Sequence, residues 1–227
     1  MRGLGSKYCS GKIAPMNTSA QTPTNTVLLI HGLWNVRAWL LPLAHRLQAH
    51  GFRPHLFGYS TVAAPLDVAI QRLIKQLRNR KEAINVVGHS LGGLIALDAL
   101  RHVPDLPIKR LVCLGSPLKG SAVARRLAEQ KWGACLLGQS RERLCAGITP
   151  WNNHVQVGMV AGNRARGLGR VLLRFDGPSD GTVALEETYL PCLSDHCIVN
   201  ASHSGLVFSA QAMRQCVHFL HQGRFAR

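Results

Sequence analysis

The stretch VVGHSLGG, residues 86–93, decides how this chain is read. An apolar β-branched run ends on glycine. A serine follows between His89 and Leu91, and then two more glycines open another apolar segment. The spacing is Gly88-x-Ser90-x-Gly92, and its context is strand before and helix after. That context forces Ser90 into a tight turn at the carboxyl end of a strand, and Gly88 and Gly92 leave the clearance a side chain would block. The hydroxyl then projects at the N-terminus of the next helix, where N–H groups and the helix dipole favour negative charge. Two readings follow: a plain turn in which serine caps the helix, or an exposed nucleophile.

Outward from this turn, apolar runs alternate between two periods. TVLLIHG, FRPHLFGYS, AINVVGHS, IKRLVCLGSP, VQVGMVAGN and HCIVNAS read as short strands. Between them Leu40, Leu43 and Leu47, then Leu66, Ile70, Leu73 and Leu77, recur at helical spacing. LGGLIALDALRHV and GSAVARRLAEQ are two further helices, and Ala210, Met213, Val217 and Leu220 mark a closing one. Pro42 interrupts the first helix and marks a kink or a late first turn. Alternation of this kind calls for a mostly parallel sheet with helices on both faces. The pattern fails over residues 132–154, predicted as a loop or helical insertion that serves as a small cap or lid.

With 227 residues and 46% hydrophobic content, the chain suits one domain over residues 26–227 with a sizeable core. Residues 1–25, rich in Gly, Ser, Thr, Asn and Pro, read as a disordered lead-in without the apolar core of a signal peptide. Met16 is an alternative start. No apolar run is long enough to cross a membrane, so the expectation is a soluble, cytoplasmic protein.

Lys and Arg number 27 against 11 Asp and Glu, a net charge of +16. The basic residues are spread along the chain, aromatics are only 6%, and no nucleic-acid-reading motif accompanies them. A solvated basic surface is the first reading, peripheral contact with anionic membrane the second, and nucleic acid the third. Seven cysteines at scattered spacings form no disulfide framework, although Cys135–Cys145 or Cys192–Cys197 could pair. Cys113 reads as core. A zinc set of Cys192, His196 and Cys197 lacks a fourth ligand and a CxxC pair.

A serine needs a base. In this topology the order is nucleophile, acid, base, with active groups at the carboxyl ends of strands. Of the eleven histidines, His203 directly follows the last strand. His196 begins that strand, at the wrong end of the sheet, and is the fallback. His218 and His221 fall on the terminal helix, and His154 in the irregular segment. Asp180 is the preferred acid and Asp176 the second; Glu186 and Glu187 read as surface charges. The oxyanion donors would be the N–H groups of Leu91, after the nucleophile, and Leu33, in the HGLW loop after the first strand. His31 reads as a buried structural histidine.

In order along the chain, HG-L, GHSLGG, GSPLKGS, SDGTV and SHSG resemble the α/β-hydrolase fold, and within it the small bacterial lipases and esterases. The likeness runs from Thr26 nearly to the end. It implies a triad of Ser90, Asp180 and His203, oxyanion donors at Leu33 and Leu91, and no cofactor or metal. It implies cleavage of a small-molecule or lipid ester. A thioesterase or acyltransferase on the same scaffold, and a non-catalytic binding protein with a basic surface, are the competing readings.

Overall fold

The strands β1 (Thr26–Ile30), β2 (Arg53–Phe57), β3 (Ile84–His89), β4 (Ile108–Leu114), β5 (Gln156–Gly162) and β6 (Asp195–Val199) form one six-stranded sheet in the order β2-β1-β3-β4-β5-β6. Every neighbouring pair is parallel. This computed structural model describes residues 25–151, 154–166 and 177–227. The lead-in, with Cys9, and Asp176 lie outside them.

Side chains along a strand alternate between faces, and each face of this sheet has its own apolar layer. Val27, Leu29, Val87, Val112, Leu114 and Val160 pack under α1 (Leu41–Ala49) and the C-terminal helix, residues Ala210–Gln222. Leu28, Ile30, Val86, Leu111, Cys113, Val157 and Met159 point the other way, towards α2 (Leu66–Arg78) and α3 (Leu91–His102). Both faces being covered explains why β1, β3 and β5 read as continuous apolar runs rather than alternating ones. Gly158 leaves the space that the Phe219 ring fills: an added Cβ would lie 2.5 Å from it.

Pro42 proves to be a first-turn residue. A 3₁₀ turn over Arg37–Leu40 precedes α1, and the proline falls in the first turn, where a helix N–H has no intrahelical partner and its loss costs little. Residues 131–146, within and just before the unassigned segment, are helical: α4 (Ala122–Ala128) is followed by α5 (Lys131–Leu137), a 3₁₀ turn and α6 (Arg141–Ala146). Gly138 and Gly147, both at positive φ, stop these two short helices. The closing helix becomes α7.

The insert is anchored from three directions. Ser140 Oγ donates to the Thr61 carbonyl at 2.6 Å, and Gln139 N–H to the Val62 carbonyl. Trp34 Nε1 donates to the Leu136 carbonyl at 2.8 Å. Arg143 Nε lies 2.7 Å from Oδ2 of Asp98, a carboxylate of α3 with 0% exposure, and Arg101 pairs with its other oxygen at 3.2 Å. No helix among the described residues is long and apolar enough to cross a membrane.

Candidate active site

The strand order reverses between β1 and β3, and in open parallel sheets ligands gather at such a reversal, outside the carboxyl ends of the strands. The loop after β1 and the turn after β3 meet there. Ser90 occupies that turn with φ 54 and ψ −120, one of two non-glycine residues at positive φ among the described residues. Such a conformation costs of order 1–3 kcal/mol and persists only where the surroundings enforce it. An added Cβ on Gly88 would fall 2.5 Å from Gly93 N, and one on Gly92 2.3 Å from the Ile30 carbonyl oxygen. The turn therefore presses against β1 and its own helix, as the glycine spacing predicts. Ser90 stands at the N-cap of α3, yet its side chain makes no capping bond. The helix-cap reading of this serine fails on that point.

Asp180 and His203 come from loops on the far side. Asp180 is 1% exposed. Its Oδ1 accepts from Thr182 N at 2.9 Å and Val183 N at 2.7 Å, and its Oδ2 from His203 Nδ1 at 2.7 Å. The backbone locks the same pair, since His203 N donates to the Asp180 carbonyl at 2.9 Å. An acceptor-only carboxylate opposite Nδ1 makes Nδ1 the protonated nitrogen, so the lone pair of the neutral ring lies on Nε2. His203 follows β6 by a short turn and begins a 3₁₀ turn at Ser204–Val207.

Ser90 and His203 line one cavity of about 310 Å³, together with Leu33 and Trp34 from the β1 loop. Its apolar wall is Val123, Ala124, Leu127, Leu137 and Leu144, contributed by α4, α5 and α6. Among Ser90, Asp180 and His203, the hydrogen-bonded pair is the last two. Leu91 is the first residue of α3, where a helix leaves its N–H groups without intrahelical partners. Leu33 sits in the turn closed by the Asn35 N–H to Gly32 carbonyl bond. An added Cβ on Gly32 would approach Ser90 Cβ to 3.0 Å, so the two loops are in contact.

His89, on the cavity lining, is buried, and burial first, then the neighbouring His203, push its pKa down to about 3. It is therefore neutral. Its Nε2 faces the His203 carbonyl at 3.1 Å, which only an N–H can satisfy, so the proton is on Nε2. His31 is buried and stacked on Tyr59 with ring centroids 4.4 Å apart; desolvation lowers its pKa too. It has the structural place expected of it.

His196 points elsewhere and meets Thr188 Oγ1 at 2.9 Å. His154 and His221 are exposed, and His218 faces the Arg224 carbonyl. Glu187 departs from its expected surface place. It is 5% exposed, and its carboxylate accepts from Ala122 N at 2.5 Å and Ala184 N at 2.9 Å. It thereby holds the start of α4 to the loop after Asp180. Burial raises its pKa, and the two N–H groups partly offset this. Glu186 is exposed, as expected. Cys113 is buried in the core, where desolvation raises its pKa to about 12. All six described cysteines are free thiols, so neither Cys135–Cys145 nor Cys192–Cys197 is paired. No three His, Cys, Asp or Glu side chains gather as a metal site among the described residues.

A parallel sheet with its strand order reversed beside a strained serine turn defines an α/β hydrolase. The chain belongs to the alpha/beta hydrolase family, whose model matches residues 27–174. Among solved structures it is similar to a Bacillus licheniformis lipase in mature form, with 20% identity, a TM-score of 0.72, and coverage of 88% of this chain and 92% of that one. A metagenomic carboxyl esterase superposes with a TM-score of 0.59 at 19% identity, over 89% of this chain and 70% of that one. The Legionella pneumophila phospholipase PlaB does so with a TM-score of 0.56 at 16% identity, over 72% of this chain and 45% of that one. At these identities the likeness is one of fold. No curated protein matches the sequence.

Proposed function

We propose that this hydrolase cleaves carboxylic esters through an acyl-enzyme on Ser90. The observation that carries the reading is the uncapped Ser90 hydroxyl, held at positive φ, on the same cavity as a histidine fixed by a buried aspartate. His203 Nε2 removes the Ser90 Oγ proton as Oγ attacks the ester carbonyl carbon. The carbonyl π pair moves to oxygen, and the N–H groups of Leu33 and Leu91 receive that oxyanion. When the pair returns, the C–O bond to the alcohol breaks and the alcohol takes the proton from His203. Water repeats the sequence in place of Ser90, releasing the acid and the free serine. Asp180 keeps the ring in one tautomer and stabilises its transient positive charge.

Two assays test this together: labelling by a fluorophosphonate, and turnover of p-nitrophenyl hexanoate by wild type and Ser90→Ala. The folded variant should lose labelling and about 10⁴–10⁶ in kcat. Wild-type turnover by the unlabelled variant would refute the assignment. A parallel assay on the corresponding thioester separates an oxygen-ester enzyme from a thioesterase.

A further inference from the structure

The cavity beside Ser90 has two unlike flanks. One is the apolar wall of α4, α5 and α6, with Val123, Leu127, Leu137 and Leu144. The other is formed by Thr182, Val183 and Ser204 around His203, and by Arg166. Arg166 belongs to the His203 side because its backbone lies against Gly181: an added Cβ there would fall 2.4 Å from the Arg166 carbonyl oxygen. Gly181 directly follows Asp180, the partner of His203.

Charge differs between the flanks as sharply as polarity does. No Asp or Glu lines the cavity among the described residues. Asp180 stands behind it, with its oxygens engaged by His203, Thr182 and Val183. His89 is held neutral. Arg166 is exposed and forms no ion pair among the described residues. The net charge of +16 adds a field of the same sign.

The reaction orients a substrate between these flanks. His203 delivers its proton to the leaving oxygen, so the alcohol part of an ester lies on the His203 side and the acyl part on the other. Resting on the ester-hydrolase reading above, we propose that the substrates are esters of an apolar acyl group with an anionic alcohol, one bearing phosphate or carboxylate, and that Arg166 selects them. The acyl chain lies along Leu127, Leu137 and Leu144. The anion of the departing alcohol meets the guanidinium, whose planar fork suits both oxyanions.

The test compares kcat/KM for monomeric hexanoyl esters of glycerol, glycerol 3-phosphate and glycolate, in wild type, Arg166→Gln and Arg166→Lys. The expected result is a wild-type preference for one or both anionic esters over the glycerol ester. Arg166→Gln should reduce that ratio about fivefold, the scale of one exposed charge pair, and Arg166→Lys should retain most of it. In wild type the ratio should shrink as NaCl rises from about 0.05 to 0.5 M, where the screening length falls below about 5 Å. Preference for phosphate alone or carboxylate alone supports the proposal and identifies the group. A wild-type ratio of one or less, or a ratio untouched by Arg166→Gln, overturns it. If Arg166→Gln does not fold, a wild-type ratio indifferent to salt overturns it instead. p-Nitrophenyl hexanoate separates the two levels. If wild type cleaves it and the ratio fails, the selectivity alone is wrong; if wild type cleaves neither it nor any of the three hexanoyl esters, the hydrolase reading falls.

Discussion

Replacing Arg143 by methionine should destabilise the protein by about 3 kcal/mol at neutral pH. The Asp98 carboxylate is wholly buried, and Arg143 Nε at 2.7 Å is the nearer of its two cationic partners. Removing one partner of a buried ion pair costs about 3–5 kcal/mol, because the remaining charge is stranded. The low end applies, since Arg101 remains at 3.2 Å and the Arg143 side chain is itself 29% exposed. In a chain of this size that is a fall in Tm of about 6–12 °C.

The pH dependence has a definite sign. Burial raises the pKa of Asp98 and the arginines pull it back, so losing Arg143 raises it further. A carboxyl whose folded pKa is raised favours the folded state below its unfolded pKa, and that contribution is lost as pH rises through the folded value. The penalty of Arg143→Met is therefore largest at pH 7.5 and shrinks towards pH 4.5. Urea unfolding followed by circular dichroism at both pH values measures it. The double variant Asp98→Leu/Arg143→Met, which removes both charges, should recover most of the loss. A penalty under about 1 kcal/mol at pH 7.5, or one that grows in acid, would refute the reasoning.

Three further outcomes are expected. Asp180→Asn should lower kcat for p-nitrophenyl hexanoate about 10⁴-fold by releasing the His203 tautomer, and Asp176→Asn should cost far less; equal losses would reverse the choice of acid. Glu187→Ala should cost about 2–4 kcal/mol in urea unfolding, because it strands the Ala122 and Ala184 N–H groups; a change under about 0.5 kcal/mol would show that water replaces the carboxylate freely. The basic surface should hold the protein to anionic vesicles by about 1 kcal/mol per Lys or Arg near the headgroups, in a salt-sensitive way. Sedimentation with neutral and anionic vesicles measures this, and binding indifferent to lipid charge and salt would leave the charge with a solubility role only.

What the sequence disclosed follows from how local each signal is. β1, β3 and β5 are buried on both faces, so their apolar runs stand out, and Gly88 and Gly92 mark the serine turn within a few residues. Chain order and its place after β6 single out His203, the histidine that the structure pairs with Asp180. The helices α5 and α6 were illegible because seven and six residues hold too few turns for periodicity, and Gly133 interrupts the first. An added Cβ on Gly133 would meet the Leu127 carbonyl at 2.1 Å, a contact with the preceding helix that spacing does not reveal. Glu186 and Glu187 look alike in sequence. The 3₁₀ turn at Leu185–Thr188 sends one into solvent and the other to two backbone N–H groups. Nothing in composition separates Arg166 from the other basic residues, because its place depends on contact with Gly181 across the fold.

The apolar wall of the cavity lies entirely within the connection from β4 to β5, whereas Ser90, Asp180 and His203 lie outside it. Both ends of that connection are set by adjacent parallel strands, and lengthening a closed loop adds little entropic cost, about 0.6 kcal/mol per doubling. The sheet therefore tolerates crossovers of different length here, provided that the pairing of Arg143 with Asp98 and the Glu187 contact at Ala122 are kept. Transplanting another crossover between Leu114 and Gln156 would replace the apolar wall of the cavity, while the serine turn keeps its contact with β1 at Gly92. The lining of the cavity can thus change at one locus while the turn that holds Ser90 stays as it is.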